Sequence, residues 1–373
     1  MKEPLPAEAA IGIIGGGQLG RMLAMAAARL GYRTIVLEPQ TDCPAAQVSN
    51  RQIVAAYDDP LALDELAAAT AVITYEFENV PVAAAEHLAR AVPVFPPPRA
   101  LEVSQDRLVE KRFLNEVGIS TASYRPVDSD DNLATALEAF GGTGVLKTRR
   151  LGYDGKGQSV FRNAPASDAV GVYAAMGGVP LILESFVPFV REISIIGAHG
   201  QDGEMRAYDP AENVHRDGIL RTSTVPAGIS NETAEAAKRA AFAIMQALDY
   251  VGVIGVEFFA LEDGSLVANE FAPRVHNSGH WTEAACAVSQ FEQHIRGIAG
   301  LPLGDPSRHS DCIMENLIGD EVLRATGLLA EPNLVLHLYG KNEARPGRKM
   351  GHFTRLIRSD DISASLRKAP VSG

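Results

Sequence analysis

A chain of 373 residues with a formal net charge of -12 lacks the basic surface a general nucleic-acid binder needs, and that class is excluded first. No apolar run is long enough to span a bilayer, residues 1–10 lack the basic and apolar segments of a secretion signal, and Cys43, Cys286 and Cys312 match neither a disulfide framework nor a metal-ligand spacing. These features imply a soluble cytoplasmic protein of two or three cored domains, with room for small phosphorylated ligands.

Residues 11–14 form a short apolar strand, followed by Gly15-Gly16-Gly17-Gln18-Leu19-Gly20, an Ala/Met/Leu-rich helix ending near Gly31, and a strand at 34–37. This order opens a parallel α/β sheet, which a helix at 61–69 and a strand at 71–74 extend. Phe95-Pro96-Pro97-Pro98 marks a stiff boundary where a helix cannot persist. A helix at 104–117, stopped by Gly118, leads into strands at 144–148 and 159–161 around a glycine-rich loop. Beyond residue 181 the pattern is mainly β, with strands at 181–184, 191–198, 204–208, 253–261 and 265–271 and a helix at 232–248. The expected architecture is an N-terminal α/β domain, a small middle α+β domain and a larger C-terminal α+β domain.

The glycine turn matches G-x-G-x-x-G through Gly15, Gly17 and Gly20, with Glu38 closing the second strand. Alone it reads as a dinucleotide site, and a nicotinamide-dependent oxidoreductase is the minority reading it supports. A second candidate nucleotide site begins at Lys147 and runs through Gly152-Tyr153-Asp154-Gly155-Lys156-Gly157-Gln158. Its glycines let backbone N–H groups turn onto an anion, and its lysines add positive charge. It is not a Walker A loop, because the spacing to Lys-Ser/Thr is absent.

The most informative pair is Glu257 and Glu270. Asp263-Gly264 predicts a two-residue hairpin turn, and counting outward sets Glu257 opposite Glu270 with Cβ atoms roughly 5 Å apart. Two like charges there call for a cation, and Mg²⁺ shared with nucleotide phosphates meets that need. The bland alternative, both side chains splayed into water, conflicts with the neighbouring Phe258, Phe259 and Phe271. A polar cluster follows in Arg274, His276, Asn277 and His280, and a basic, Gly/Pro-bearing loop lies at Lys341, Arg345, Arg348 and Lys349. In an acidic chain that local reversal suggests a ligand phosphate.

The chain resembles the ATP-grasp superfamily and, within it, the 5-(carboxyamino)imidazole ribonucleotide synthase family. The resemblance is carried by residues 15–22, 74–80, 105–107, 152–158, 269–281, 339–341 and 348–352, and it spans residues 11 to about 355. It implies an ATP-grasp fold: a Rossmann-like pre-ATP-grasp domain at 1–104, a lid at 105–183 and a C-terminal α+β domain at 184–373. It also implies a ligase that uses ATP, Mg²⁺ (or Mn²⁺) and bicarbonate to carboxylate the amine of 5-aminoimidazole ribonucleotide through carboxyphosphate, in purine biosynthesis. The sibling reading is a formate-using glycinamide ribonucleotide transformylase; a third is a non-catalytic nucleotide-binding module.

Carried over residue by residue, Arg107, Lys147 and the 152–158 loop would hold phosphates. Glu184, Ser185, Phe186 and Val187 would line the adenine and Glu192 the ribose. His215 and Asn269 would touch the nucleotide, and Glu257 and Glu270 would bind the metal. The aminoimidazole ribonucleotide would meet Gln18, Leu19, Glu76, Asp154, Lys156, Lys341 and Arg348. Lys156, Arg274 and His280 would act on the reacting groups, the last two on bicarbonate or carboxyphosphate. A homodimer, a downstream mutase receiving the product, and no nucleic-acid or membrane partner complete the expectation.

Overall fold

The protein is described from a computed structural model, which defines residues 3–152 and 157–357. Three sheets organise it. The first joins β1 (Ala10–Ile14), β2 (Arg33–Leu37), β3 (Arg51–Ile53) and β4 (Val72–Tyr75) in the parallel order β3-β2-β1-β4. The helix Gln18–Arg29 starts directly after the glycine turn and buries Leu19, Met22, Leu23, Ala26 and Ala27, the apolar stripe its sequence spacing dictates.

A second, antiparallel sheet joins β5 (Tyr124–Val127), β6 (Gly144–Thr148), β7 (Gln158–Phe161) and β8 (Leu181–Ser185) in the order β5-β8-β6-β7. It has its own small core around Leu133, Leu137, Leu146 and Leu183. The third sheet is antiparallel and nine-stranded, built from β9 (Arg191–His199), β10 (Met205–Ala207), β11 (Ala211–Arg216), β12 (Ile219–Val225), β13 (Gly252–Ala260), β14 (Leu266–Ala272), β15 (Asp311–Ile318), β16 (Leu334–Leu338) and β17 (Lys349–Ile357). Its order is β14-β13-β9-β11-β12-β15-β17-β16, with β10 paired to β9.

Along β9, β13 and β14 the side chains alternate between two faces, as a pleated strand requires. Ile193, Ile195, Val256, Phe258 and Phe271 are buried on one face under the helix Asn231–Ala247. Glu192, Ser194, Glu257 and Glu270 project from the other, and that face becomes the floor of the site.

Three expectations are corrected here. The helix expected at 104–117 runs from Arg107 to Glu116, and a separate helix, Pro98–Ser104, precedes it across Gln105-Asp106. Asp106 starts the second by accepting the N–H groups of Leu108 and Val109. Pro98 opens a helix rather than ending one, because a proline at the first helical position loses no hydrogen bond. The basic C-terminal loop is shorter than expected, since Lys349 and His352 belong to β17.

Helix Arg107–Glu116 packs under the edge strand β14 rather than on the second sheet, and it closes that edge. The Phe271 N–H donates to Glu110 Oε1 (2.8 Å), Lys111 Nζ donates to the Asn269 carbonyl (3.1 Å), and the Ala268 N–H donates to the Ser120 carbonyl (2.8 Å). An edge strand left open would present these groups to any passing chain. The first and third sheets are joined through His294 on the helix Gln290–Ile298. Its Nδ1 accepts the Val253 N–H (3.0 Å), which leaves Nε2 to donate to Thr74 Oγ1 (2.8 Å). Among the described residues, no helix is long and apolar enough to cross a membrane.

Candidate active site

A cleft of about 550 Å³ lies between the three sheets. Its floor carries the opposed carboxylates. Glu257 does pair with Glu270, but not through the expected turn. The loop is three residues long, with Leu261 and Ser265 bonded at its base (2.9 Å) and Gly264 at φ +82°. Alone this would move every pair along β14 by one. Asn269 restores the register: Ala268 faces Phe258, Glu270 faces Glu257, and Asn269 bulges between them. A β-bulge inserts one unpaired residue into one strand. Two departures from the expected turn cancel at the one pair that matters.

The environments of the two carboxylates differ. Burial and the charge of Glu270 push the Glu257 carboxyl up. Burial pushes Glu270 the same way, but the Arg107 guanidinium, 2.8 Å from Oε2, outweighs it and holds Glu270 below the usual carboxylate range. The bulge leaves Asn269 Oδ1 buried without a hydrogen-bond partner among the described residues. Two carboxylates and an unused amide oxygen form a hard-oxygen donor set. That set suits Mg²⁺, which takes one or two protein carboxylates and completes its shell with phosphates and water.

The second sheet brings Lys147 and Glu184 together. Glu184 is nearly fully buried, accepts from Lys147 Nζ at 3.0 Å and lies 3.4 Å from Lys111 Nζ. Burial lowers the Lys147 pKa, and Glu184 offsets part of that. Ser185, Phe186 and Val187 also line the cleft. Phe189 stacks on Phe259 with centroids 4.6 Å apart and the planes at 18°, giving an apolar shelf for a planar ring. Opposite it, Glu192 Oε2 sits 2.9 Å from His215 Nδ1. Burial opposes the charged His215 ring, and the Glu192 carboxylate, with the charges of Glu257 and Glu270, outweighs it and raises the pKa.

The glycine loop between β6 and β7 is closed at its base, where the Thr148 N–H donates to the Gly157 carbonyl (2.8 Å). Gly157 has φ +72°, and a Cβ there would lie 2.7 Å from Thr148 Oγ1, so only glycine fits. Gly152, Gly157 and Gln158 line the cleft, while Tyr153, Asp154, Gly155 and Lys156 lie outside the described residues.

The far wall holds Gln18, Leu19, Glu78, Arg274, His276, Asn277 and Lys349. Arg274 Nε donates to Glu78 Oε2 at 2.6 Å. Both polar atoms of the Asn277 amide are buried without a hydrogen-bond partner among the described residues. Burial and the Arg274 charge hold the His276 ring neutral, at a pKa of about 3, and its Nε2 lies 3.7 Å from Glu257 Oε1.

His280 is corrected: it does not reach the cleft. It is fully buried behind the wall, 4.5 Å from the His352 ring and 3.2 Å from Gln290 Nε2. The one-turn geometry at Asn277–Gly279 sends residues 276 and 277 forward and His280 back. His276, Asn277 and Lys349 are the side chains that accompany Arg274. The first two stood in the polar cluster of the sequence, and Lys349 in the basic loop; what the sequence lacked was their orientation.

Three expected substrate contacts lie outside the main cleft. Glu76 sits beneath the first glycine turn, where Oε1 accepts the Gly17 N–H (2.7 Å) and Oε2 the Gly20 N–H (3.0 Å), while Glu38 takes the Gly16 N–H (2.8 Å). The N–H groups that would grip a dinucleotide pyrophosphate are therefore spent on the protein's own carboxylates. Lys341 Nζ donates to the Lys349 carbonyl (2.7 Å), and Arg348 Nη1 donates to the Glu343 carbonyl (2.9 Å). The Gly340 carbonyl accepts from Gln47 Nε2 (3.0 Å), which keeps this loop against the N-terminal sheet.

Comparison with known proteins agrees with this layout. Residues 9–105 match the ribonucleotide synthetase preATP-grasp domain, residues 112–291 the ATP-grasp domain, and residues 312–365 the phosphoribosylaminoimidazole carboxylase C-terminal domain. An N5-carboxyaminoimidazole ribonucleotide synthase of Brucella melitensis is 66% identical over 95% of this chain and 98% of its own length. The chain belongs to the N5-carboxyaminoimidazole ribonucleotide synthase family.

It is thus an enzyme, an ATP-grasp ligase of purine biosynthesis, and the oxidoreductase and non-catalytic readings fall away. The synthase of Pseudomonas aeruginosa is 44% identical over 97% of this chain and 98% of its own. Among solved structures, an ADP complex of an N5-carboxyaminoimidazole ribonucleotide synthetase superposes with a TM-score of 0.92 at 40% identity, over 99% of this chain and 97% of that one. The Aspergillus clavatus synthase in complex with ADP and 5-aminoimidazole ribonucleotide gives a TM-score of 0.89 at 33% identity, over 97% of each chain.

Proposed function

We propose that the cleft carboxylates 5-aminoimidazole ribonucleotide on its exocyclic amine, using ATP and bicarbonate and releasing ADP and phosphate. The observation that carries this reading is the Arg274, His276, Asn277 and Lys349 wall, set beside two carboxylates suited to a nucleotide-bound cation. Such a wall can seat a small carboxyl-bearing anion within reach of a γ-phosphate.

In this reading the adenine rests along Ser185–Val187 and the Phe189–Phe259 shelf, and the ribose hydroxyls meet Glu192 and His215. Arg107, Lys147 and the lid glycines take the phosphates. Glu257 and Glu270 would hold Mg²⁺, which supplies neutralisation of charge on the transferring phosphoryl group. A bicarbonate oxygen attacks the γ-phosphorus, the bond to ADP breaks, and carboxyphosphate forms. The amine nitrogen then bonds to the carboxyl carbon as phosphate leaves, with one proton lost from nitrogen. Positioning and preorganised charge do the work, and the lid keeps water from the labile intermediate.

Gln18 and Leu19, with Lys341 and Arg348 at the neighbouring loop, form the side from which the ribonucleotide would enter, and Glu76 shapes the glycine turn behind them. The fully buried His280 supports the wall instead of touching bicarbonate. A homodimer, and a mutase that consumes the product, fit the reading.

ADP release is expected to rise at least about ten-fold when 5-aminoimidazole ribonucleotide and bicarbonate are added together, a factor equal to 1.4 kcal/mol of barrier. Glycinamide ribonucleotide with formate should give no rise. Stimulation by the second pair and not the first would assign the chain to the sibling reaction.

A further inference from the structure

His276 enters the cleft with its other ring nitrogen already engaged. The Ser278 N–H points at Nδ1 (3.4 Å), and Ser278 Oγ lies 2.8 Å from the same nitrogen. A backbone N–H can only donate, so Nδ1 is the acceptor and the neutral ring carries its proton on Nε2. Ser194 Oγ donates to Ser278 Oγ at 2.7 Å, which leaves the Ser278 hydroxyl hydrogen for Nδ1. Both serines are almost wholly buried.

The rest of the loop is held as firmly. Gln290, fully buried, accepts the His276 N–H on Oε1 (2.9 Å) and donates from Nε2 to the His276 carbonyl (2.7 Å), pairing with that peptide as a neighbouring strand would. Gly255 supplies the space, since a Cβ there would lie 2.6 Å from His276 Cβ. Ser194 faces Glu257 across the β9–β13 ladder, so the relay starts on the strand beside the one that carries Glu257.

We propose that Ser194 and Ser278 are positioning residues that lock His276 as an Nε2–H donor, aimed at the oxygens of the carboxyl-bearing anion. This rests on the function proposed above and deepens it. His276 then stabilises negative charge on bicarbonate or carboxyphosphate by donating a hydrogen bond. It is not the base that removes the amine proton, because its acceptor nitrogen faces away from the cleft. Removing the partners that orient a metal-ligating histidine from behind typically changes affinity or activity about 10–100-fold, and the lower end of that range is the expected scale here.

The test combines long-range ¹H–¹⁵N correlation spectra of ¹⁵N-histidine-labelled protein, His276 being assigned by its loss in H276Q, with steady-state kinetics. The native ring should show the Nε2–H pattern. S278A removes the short hydroxyl contact and leaves Nδ1 only the long Ser278 N–H contact (3.4 Å), so the ring should move toward a tautomer mixture, with the KM for bicarbonate up about ten-fold and the KM for ATP within about two-fold of native. S194A, which removes only the far end of the relay, should move both readouts in the same direction by less and stands in if S278A fails to fold. An Nδ1–H ring in the native protein overturns the proposal, as does an unchanged tautomer in both variants. A shifted tautomer with unchanged bicarbonate KM overturns it too. The ring spectrum of the resting protein does not depend on the reaction, whereas a native enzyme whose ADP release ignores bicarbonate would overturn the underlying function instead.

Discussion

Replacing Glu270 by Gln is expected to lower turnover on the order of a thousand-fold, the scale of losing one preorganised electrostatic group in a phosphoryl-transfer site, while leaving thermal stability near native. The two effects separate because of what surrounds the carboxyl. Arg107 Nη1 donates to Glu270 Oε2, and the glutamine amide oxygen keeps an acceptor there. Removing the Glu270 charge also removes a cause that raises the Glu257 pKa, so the fold loses a repulsion while it loses an ion pair. The site, in contrast, loses half of its anionic donor set. ADP release and a thermal melt on the same preparation check both halves. Near-native turnover would remove Glu270 from the metal site.

Arg274→Met is expected to abolish turnover and to cost stability as well, about 3 kcal/mol, the low end for a broken buried ion pair because Glu78 keeps 30% side-chain exposure. Burial alone would raise the Glu78 pKa, and Arg274 outweighs it and holds the folded value below the unfolded one. Such a pair stabilises above the unfolded carboxyl pKa, and its contribution is lost as pH falls through the folded pKa. The variant should therefore lag native most at neutral pH and converge with it in acid. The double variant R274M/E78Q should regain most of the stability and none of the activity. Denaturant melts at neutral and acid pH, with rates for both variants, separate the two roles; a double variant as unstable as R274M would deny that the stability loss comes from Glu78.

Much of the frame was legible because it rests on local pattern. The strand, glycine turn and helix at the N-terminus, and the two-faced strands carrying Glu257 and Glu270, follow from spacing alone. The Glu257–Glu270 pairing was read from a turn the chain does not adopt. It survives because the longer loop and the Asn269 bulge offset each other, and neither has a sequence mark strong enough to reveal both.

The first glycine turn was ambiguous for a different reason. The carboxylate that occupies its N–H groups, Glu76, is 56 to 59 residues away along the chain, and only the parallel β1–β4 ladder delivers it. His280 and His276 look equivalent as residues. One short turn decides which faces the cleft. The strands β11, β12, β15 and β17 mix charged and apolar side chains without clean alternation, β16 is a short apolar run interrupted by His337, and all of them form because the wide sheet pairs them.

The central claim is that the cleft delivers a bicarbonate oxygen to the γ-phosphate and then the carboxyl carbon to the amine. Turnover with ¹⁸O-labelled bicarbonate and 5-aminoimidazole ribonucleotide, read by mass spectrometry of the phosphate, tests it most directly. Phosphate carrying one ¹⁸O atom derived from bicarbonate is the expected result; phosphate with no label, alongside carboxylated product, would contradict it.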